Sequence, residues 1–211
     1  MTDLTPLFDA VLTGKLDKTL EIVKQALDEN VPPRTLIDDY MIKAMEEMGS
    51  RFESGKAFVP EMMMAARAMK GALEALRPHM VGSADSSLGK IIIGTVKGDL
   101  HDIGKNIVAA MLEGCGFEVI NLGVDIAPQK FIDAVKSSNA QIVCLSALLT
   151  TTMTAMKTTI DAFTNAGMRE QVKFMVGGAP VTDHFAKEIG ADGYTSNANA
   201  AVKMAKELIV A

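Results

Sequence analysis

Lys90-Ile91-Ile92-Ile93-Gly94-Thr95, then Asp99-Leu100-His101-Asp102-Ile103-Gly104, then Lys105-Asn106-Ile107-Val108-Ala109-Ala110-Met111-Leu112: the reading of these stretches decides the fold. The first is a short apolar run rich in β-branched residues, the pattern of a buried strand. The third reads as the opening of a helix. His101 therefore sits on a strand-to-helix loop, with Asp99 just before it and Gly104 just after. An imidazole placed this way can leave the loop and coordinate a metal, while a nearby carboxylate takes its other ring N–H.

The same strand-then-helix grammar continues downstream. Strands are expected at 91–95, 117–122, 141–145, 173–176 and 191–194. Helices are expected at 104–114, 127–138, 151–166, 181–189 and 197–210. This alternation implies an α/β fold, a parallel, doubly wound, flavodoxin-like (Rossmann-like) sheet of five strands in the order 2-1-3-4-5 over residues 90–211. Upstream, residues 1–80 read as helices alone: Thr5 to Thr13 ending at Gly14, Leu16 to Asn30, a third helix from Pro32-Pro33 until Glu53-Ser54-Gly55, and a fourth from Pro60 to Leu76. Short connections between them predict a four-helix bundle. Residues 81–89, small and polar, read as a linker.

The chain has 211 residues, a formal net charge of -5 and 48% hydrophobic residues, enough for real cores in both halves. The acidic balance argues against nucleic-acid binding. No apolar run is long enough for a transmembrane helix, and Met1 to Pro6 lacks the basic and apolar regions of a signal peptide, so a cytoplasmic protein with no membrane partner is expected. Cys115 and Cys144 do not make a disulfide framework.

In the predicted strand order the switch point lies between strands one and three. Asp99 and His101 follow strand one, Ser146-Ala147-Leu148 follows strand three, and Gly177-Gly178 follows strand four. Segments distant in sequence thus meet on one rim. There Gly94, Gly104, Gly177 and Gly178 would leave a slot free of side chains. Each element alone has an ordinary explanation: a surface histidine, a helix-capping serine, a Gly-Gly turn. Their convergence points to a binding site.

Asp99, His101, Gly104, Ser146, Leu148, Gly177 and Gly178 together match Asp-x-His-x-x-Gly, then Ser-x-Leu, then Gly-Gly. This pattern resembles the cobalamin-binding signature of the methionine synthase type. The preceding helical bundle resembles the cap of the same family. The whole chain resembles the free-standing corrinoid proteins of three-component methyltransferase systems. The resemblance implies a carrier that takes a methyl group onto cobalt from a substrate methyltransferase and passes it to a second methyltransferase acting on a pterin or thiol. It implies no catalysis by the chain alone, and a reductive activating protein as a further partner. It implies that cobalamin binds base-off/His-on, with His101 as the cobalt ligand and Asp99 on the distal nitrogen of His101. Ser146 would contact the displaced nucleotide tail, Leu148 would line its slot, and Gly104, Gly177 and Gly178 would make room. A hydroxyl would complete a His-Asp-hydroxyl relay, with Thr152 at the family's spacing and Thr150 and Thr151 as neighbours in doubtful register. Asp102 follows the ligand as in relatives, and also suits a helix N-cap. Loss of the cobalt bond would let His101 take up a proton, making its contact with Asp99 an ion pair.

Phe58, Met62, Met63, Ala66 and Met69 form a Met-rich stretch that could shield the corrin or simply pack the bundle. Met62 and Met63 are the candidates for shielding; Met69 reads as core. Three other readings compete: a cobalamin-binding subunit of a mutase, which leaves the bundle unexplained; a cobalamin-dependent regulator, which would need a basic DNA-binding helix pair; and a flavodoxin-like domain without a corrin.

Overall fold

The computed structural model describes residues 4–80 and 87–210. Residues 81–86 of the expected linker lie outside the described residues. The chain divides into two units, one holding the described residues up to Ser87 together with Ala110–Gly116, the other holding Leu88–Ala109 and the described residues from Phe117 onward.

The helical unit contains α1 (Thr5–Leu12), α2 (Leu16–Asp28), α3 (Pro33–Leu36), α4 (Ile42–Glu53) and α5 (Val59–Leu76). The single third helix expected from sequence is here α3 and α4 joined by a π-helical stretch, Ile37–Met41. The predicted stop at Asn30 is realised physically: its φ is 60°, and the amides of Asn30 and Val31 close onto Leu27 and Ala26. Proline begins α3 and stands in the first turn of α5, where its missing N–H costs nothing. Phe58 precedes α5, and its backbone N–H donates to the Glu61 carboxylate at 2.7 Å. Leu7, Leu36, Met41, Met45, Met62, Met69 and Leu76 are all fully buried. Each such side chain stabilises the unit by about 1.5–3 kcal/mol relative to exposure.

The second unit is a five-stranded parallel sheet in the order β2-β1-β3-β4-β5, as expected. Its strands are β1 (Lys90–Thr95), β2 (Glu118–Asn121), β3 (Ile142–Ser146), β4 (Lys173–Gly177) and β5 (Gly193–Tyr194). The helices are α6 (Ile103–Gly114), whose residues from Ala110 onward are counted with the first unit, α7 (Pro128–Ser138), α8 (Thr154–Asn165), α9 (Asp183–Glu188) and α10 (Ala198–Val210). One sheet face supplies Ile92, Val143, Leu145, Phe174 and Val176 to a core shared with Phe131 of α7 and Phe163 of α8. Phe163 and Phe174 meet edge to face at 5.0 Å between centroids. Ile91, Ile93, Ile142, Cys144 and Met175 alternate with these and are also buried. Strands buried on both faces explain why they read as continuous apolar runs. Gly94 belongs to this packing and not to a rim slot, because a Cβ there would stand 2.7 Å from the Phe131 ring. The register aligns Thr95, Ser146 and Gly177 across three adjacent strands, and this row is the carboxyl rim.

Candidate functional site

Asp99 lies on the loop between β1 and α6 and is fully buried. Its Oδ1 accepts the His101 backbone N–H at 3.0 Å and faces His101 Nδ1 at 2.7 Å. Its Oδ2 accepts the Leu148 N–H at 2.8 Å, the Leu149 N–H at 3.2 Å and the Thr152 hydroxyl at 2.6 Å. Burial alone would raise the Asp99 carboxyl. The bonds from Thr152, the His101 and Leu148 amides and the His101 ring outweigh it and hold the carboxyl well below the usual carboxylate range. Asp99 is therefore ionised at neutral pH and can only accept, so Nδ1 must carry the ring proton that bonds it. In the neutral imidazole this leaves the Nε2 lone pair free. The His101 side chain is 51% exposed, so that nitrogen has an open side.

The loop itself is strapped from several directions. Thr95 Oγ1 donates to the His101 carbonyl at 2.9 Å. Asp125 accepts the Gly98 N–H at 2.8 Å and pairs with Lys97, and its own N–H donates to the Asp99 carbonyl at 3.0 Å. Lys105, nearly fully buried, donates to Asn106 at 2.6 Å and to Asn121 at 2.8 Å, tying the start of α6 to the end of β2. Burial lowers the Lys105 ammonium below its ordinary value, and the charge of Asp102 partly opposes this. The Asp102 carboxylate accepts the Asn106 side-chain amide at 3.0 Å, and its carbonyl accepts the Asn106 backbone N–H. Asp102 thus braces the loop through Asn106.

The structure resolves the threonine register. Residues 149–153 form a turn before α8, which starts later than expected, and this turn aims Thr152 at Asp99. Thr150 and Thr151 are exposed. Ser146 is half-buried at the rim, in register with Gly177. Leu148 is 42% exposed. A Cβ on Gly104 would meet nothing within 4 Å, and one on Gly177 would touch only the Thr195 carbonyl at 3.6 Å, so both face open space. Gly178 differs: its φ is +140°, and a Cβ there would overlap the Ala147 carbonyl oxygen. The expected slot at residue 178 is backbone packed on backbone.

In the helical unit, Met62 is fully buried and has no surface to offer a ligand, which corrects its reading as a cofactor contact. Met63 is exposed, as are Phe58, Val59 and Met64. Sequence reasoning also passed over Leu100 and Ile103, 71% and 77% exposed on either side of the His101-Asp102 pair, and Leu149 beside Leu148. These four large apolar side chains are exposed on the two segments that hold Asp99 and His101.

The residues fit a corrinoid. Imidazole is a suitable ligand for a transition metal, and it is oriented by a carboxylate as metal-bound histidines usually are. The apolar rim suits a macrocycle, and the space at Gly104 and Gly177 suits a tail.

Residues 89–203 match a family described as the B12 binding domain, and residues 4–77 match a second family of that description. The dimethylamine corrinoid protein of Methanosarcina barkeri is 45% identical over 207 residues, covering 98% of this chain and 97% of that one. A crystal structure of a cobalamin-binding protein from Desulfitobacterium hafniense superposes with a TM-score of 0.82 at 33% identity, covering 99% of both chains. The methanol:cobalamin methyltransferase complex of Methanosarcina barkeri superposes with a TM-score of 0.84 at 30% identity, covering 97% of this chain and 78% of that one.

Proposed function

This chain belongs to the B12-binding family and is a corrinoid protein of a methyltransferase system, and we propose that His101 Nε2 binds the cobalt of a cobalamin whose own benzimidazole is detached. It is a methyl carrier that works with methyltransferases. When bound, the corrinoid supplies a cobalt that takes up a methyl group and gives it up again.

The chain's own residues do the rest. Asp99, kept ionised by its donors, fixes the His101 tautomer and presents Nε2 outward. Were Nε2 to carry a proton instead of a metal, Asp99 would meet the imidazolium as an ion pair already in place. Thr152 and the Leu148 and Leu149 amides hold Asp99 through these changes. Leu100, Ile103, Leu148 and Leu149 supply apolar contact to the macrocycle. Gly104 and Gly177 leave room for the nucleotide tail, and Ser146 stands at the rim to bond it.

The methyl source in this reading is a methylated amine, supported by the 45% identity to a dimethylamine corrinoid protein over nearly the whole of both chains. A second methyltransferase removes the methyl group, a reductive activating protein restores oxidised cofactor, and the system works in the cytoplasm. The observation that carries the proposal is the single open nitrogen of a histidine whose other nitrogen is locked on a buried carboxylate. The test is reconstitution with cobalamin and a methylamine methyltransferase, followed by absorption spectra during addition of dimethylamine, trimethylamine, monomethylamine or methanol. A methylated amine should convert the reduced corrinoid to its methylated form. Conversion by methanol alone would contradict the assignment of donor.

A further inference from the structure

Gly178 directly follows β4, and Ala147 directly follows β3. A Cβ on Gly178 would overlap the Ala147 carbonyl oxygen, stand 2.9 Å from its carbonyl carbon and lie 3.4 Å from its nitrogen. The Ala147 N–H donates to the Gly177 carbonyl at 3.3 Å. The two backbones are thus seated against each other, and Ala147 has no room to move toward β4. The next residues, Leu148 and Leu149, give their N–H groups to Asp99 Oδ2 at 2.8 and 3.2 Å. Asp99 in turn holds His101. The contact is out of reach of any side chain at position 178, because its φ of +140° is one that L residues rarely adopt and the space is taken by main chain.

We infer that Gly178 is a positioning residue for the metal-binding histidine. It acts through the backbone of Ala147 and the amides of Leu148 and Leu149, and not by clearing a slot for the cofactor's tail. Gly177 is different, because its side-chain direction is open. The Gly-Gly pair therefore divides its work: Gly177 gives space, and Gly178 sets where the β3 loop delivers two N–H groups. The inference rests on the reading of His101 as cobalt ligand only for its functional consequence; its structural part concerns the protein alone.

The test is residue-resolved amide hydrogen exchange on full-length protein without cobalamin, comparing wild type, Gly178→Ala and Gly177→Ala. Forcing a non-glycine residue into such a backbone region is relieved by local displacement, so Gly178→Ala should speed exchange of the Leu148 and Leu149 amides by about 10- to 100-fold. The Ile142–Leu145 amides of β3 should be unchanged, and Gly177→Ala should leave all of these as in wild type. Loaded with cobalamin, Gly178→Ala should also show a weakened axial nitrogen signal in the paramagnetic cobalt form. Unchanged Leu148 and Leu149 exchange with weaker cobalamin binding would overturn the inference and return Gly178 to the tail slot. Should Gly178→Ala fail to fold, wild-type protein in low denaturant decides. The amides of Ala147, Leu148 and Leu149 should open together with one free energy. Independent opening of Ala147 would overturn the inference. A wild-type cobalt spectrum without histidine nitrogen would instead reject the ligand assignment and leave the exchange result standing.

Discussion

Replacing Asp99 with asparagine changes almost nothing in shape and reverses the chemistry of one nitrogen. The Asp99 carboxylate accepts from the Leu148 and Leu149 amides and the Thr152 hydroxyl on Oδ2, and from the His101 amide and ring on Oδ1. Asparagine has one acceptor oxygen, and the side with three donors should claim it. Its NH2 then faces the His101 backbone N–H and Nδ1. Nδ1 can satisfy it only as an acceptor, which moves the ring proton to Nε2, the atom proposed to bind cobalt. A hydrogen bond to a charged group is worth about 1.5–3 kcal/mol, and a buried donor left unpaired costs about 1–3 kcal/mol. The tautomer that leaves Nε2 bare should therefore fall by about tenfold or more in population. Nitrogen NMR of histidine-labelled protein without cobalamin reads this directly. Wild type should show Nδ1 protonated and Nε2 bare; Asp99→Asn should show the reverse. Loss of such a partner typically costs a metal-bound histidine about 10–100-fold in affinity or activity. With cobalamin bound, release of His101 on reduction should become easier and its linked proton uptake should shrink. An unchanged tautomer in the variant, with a cobalt potential against pH that superimposes on wild type, would refute the reasoning and make Asp99 a mere brace of the loop.

Thr152→Val keeps the shape but removes the donor at 2.6 Å from Asp99, so it should cost about 1.5–3 kcal/mol in denaturant stability, while Thr150→Val and Thr151→Val should cost less than about 0.5 kcal/mol. Gly104→Ala meets open space within α6, so it should leave the empty protein as stable or up to about 1 kcal/mol more so, yet weaken cobalamin binding in a titration; equal binding would remove Gly104 from the tail slot. Asp99 also shapes acid stability. Its folded-state value is depressed, so its stabilisation is complete above the ordinary carboxylate value of about 3.9 and is lost as pH falls toward the native value. Urea midpoints should fall more steeply below about pH 4 in wild type than in Asp99→Asn.

Much of this was legible in the sequence because the signals are local. Apolar runs broken by Gly- and Asp-containing loops marked the strands, and the parallel order followed from their alternation with helices. Asp99 and His101 stood out because the expected strand order brings their loop to the same rim as the ends of strands three and four. The unread features depend on main chain or on tertiary packing. The amides of Leu148 and Leu149 are two of the five donors that hold the Asp99 carboxylate, and main-chain donors leave no residue signature. The turn at 149–153 puts the start of α8 at Thr154, and Thr152 within that turn bonds Asp99, a tertiary contact that helix periodicity does not encode. Helical spacing placed Met62 and Met63 side by side but could not say which was buried. The π-helical stretch at Ile37–Met41 has no local composition that distinguishes it from the helices around it.

The central claim is that His101 Nε2 ligates cobalt. Electron paramagnetic resonance of the cobalamin-loaded protein in the Co(II) state should show axial nitrogen splitting. That splitting should change when the histidines carry nitrogen-15 and disappear in His101→Gln. A splitting that persists unchanged through both the label and the substitution would come from the cofactor's own benzimidazole, and would contradict the account.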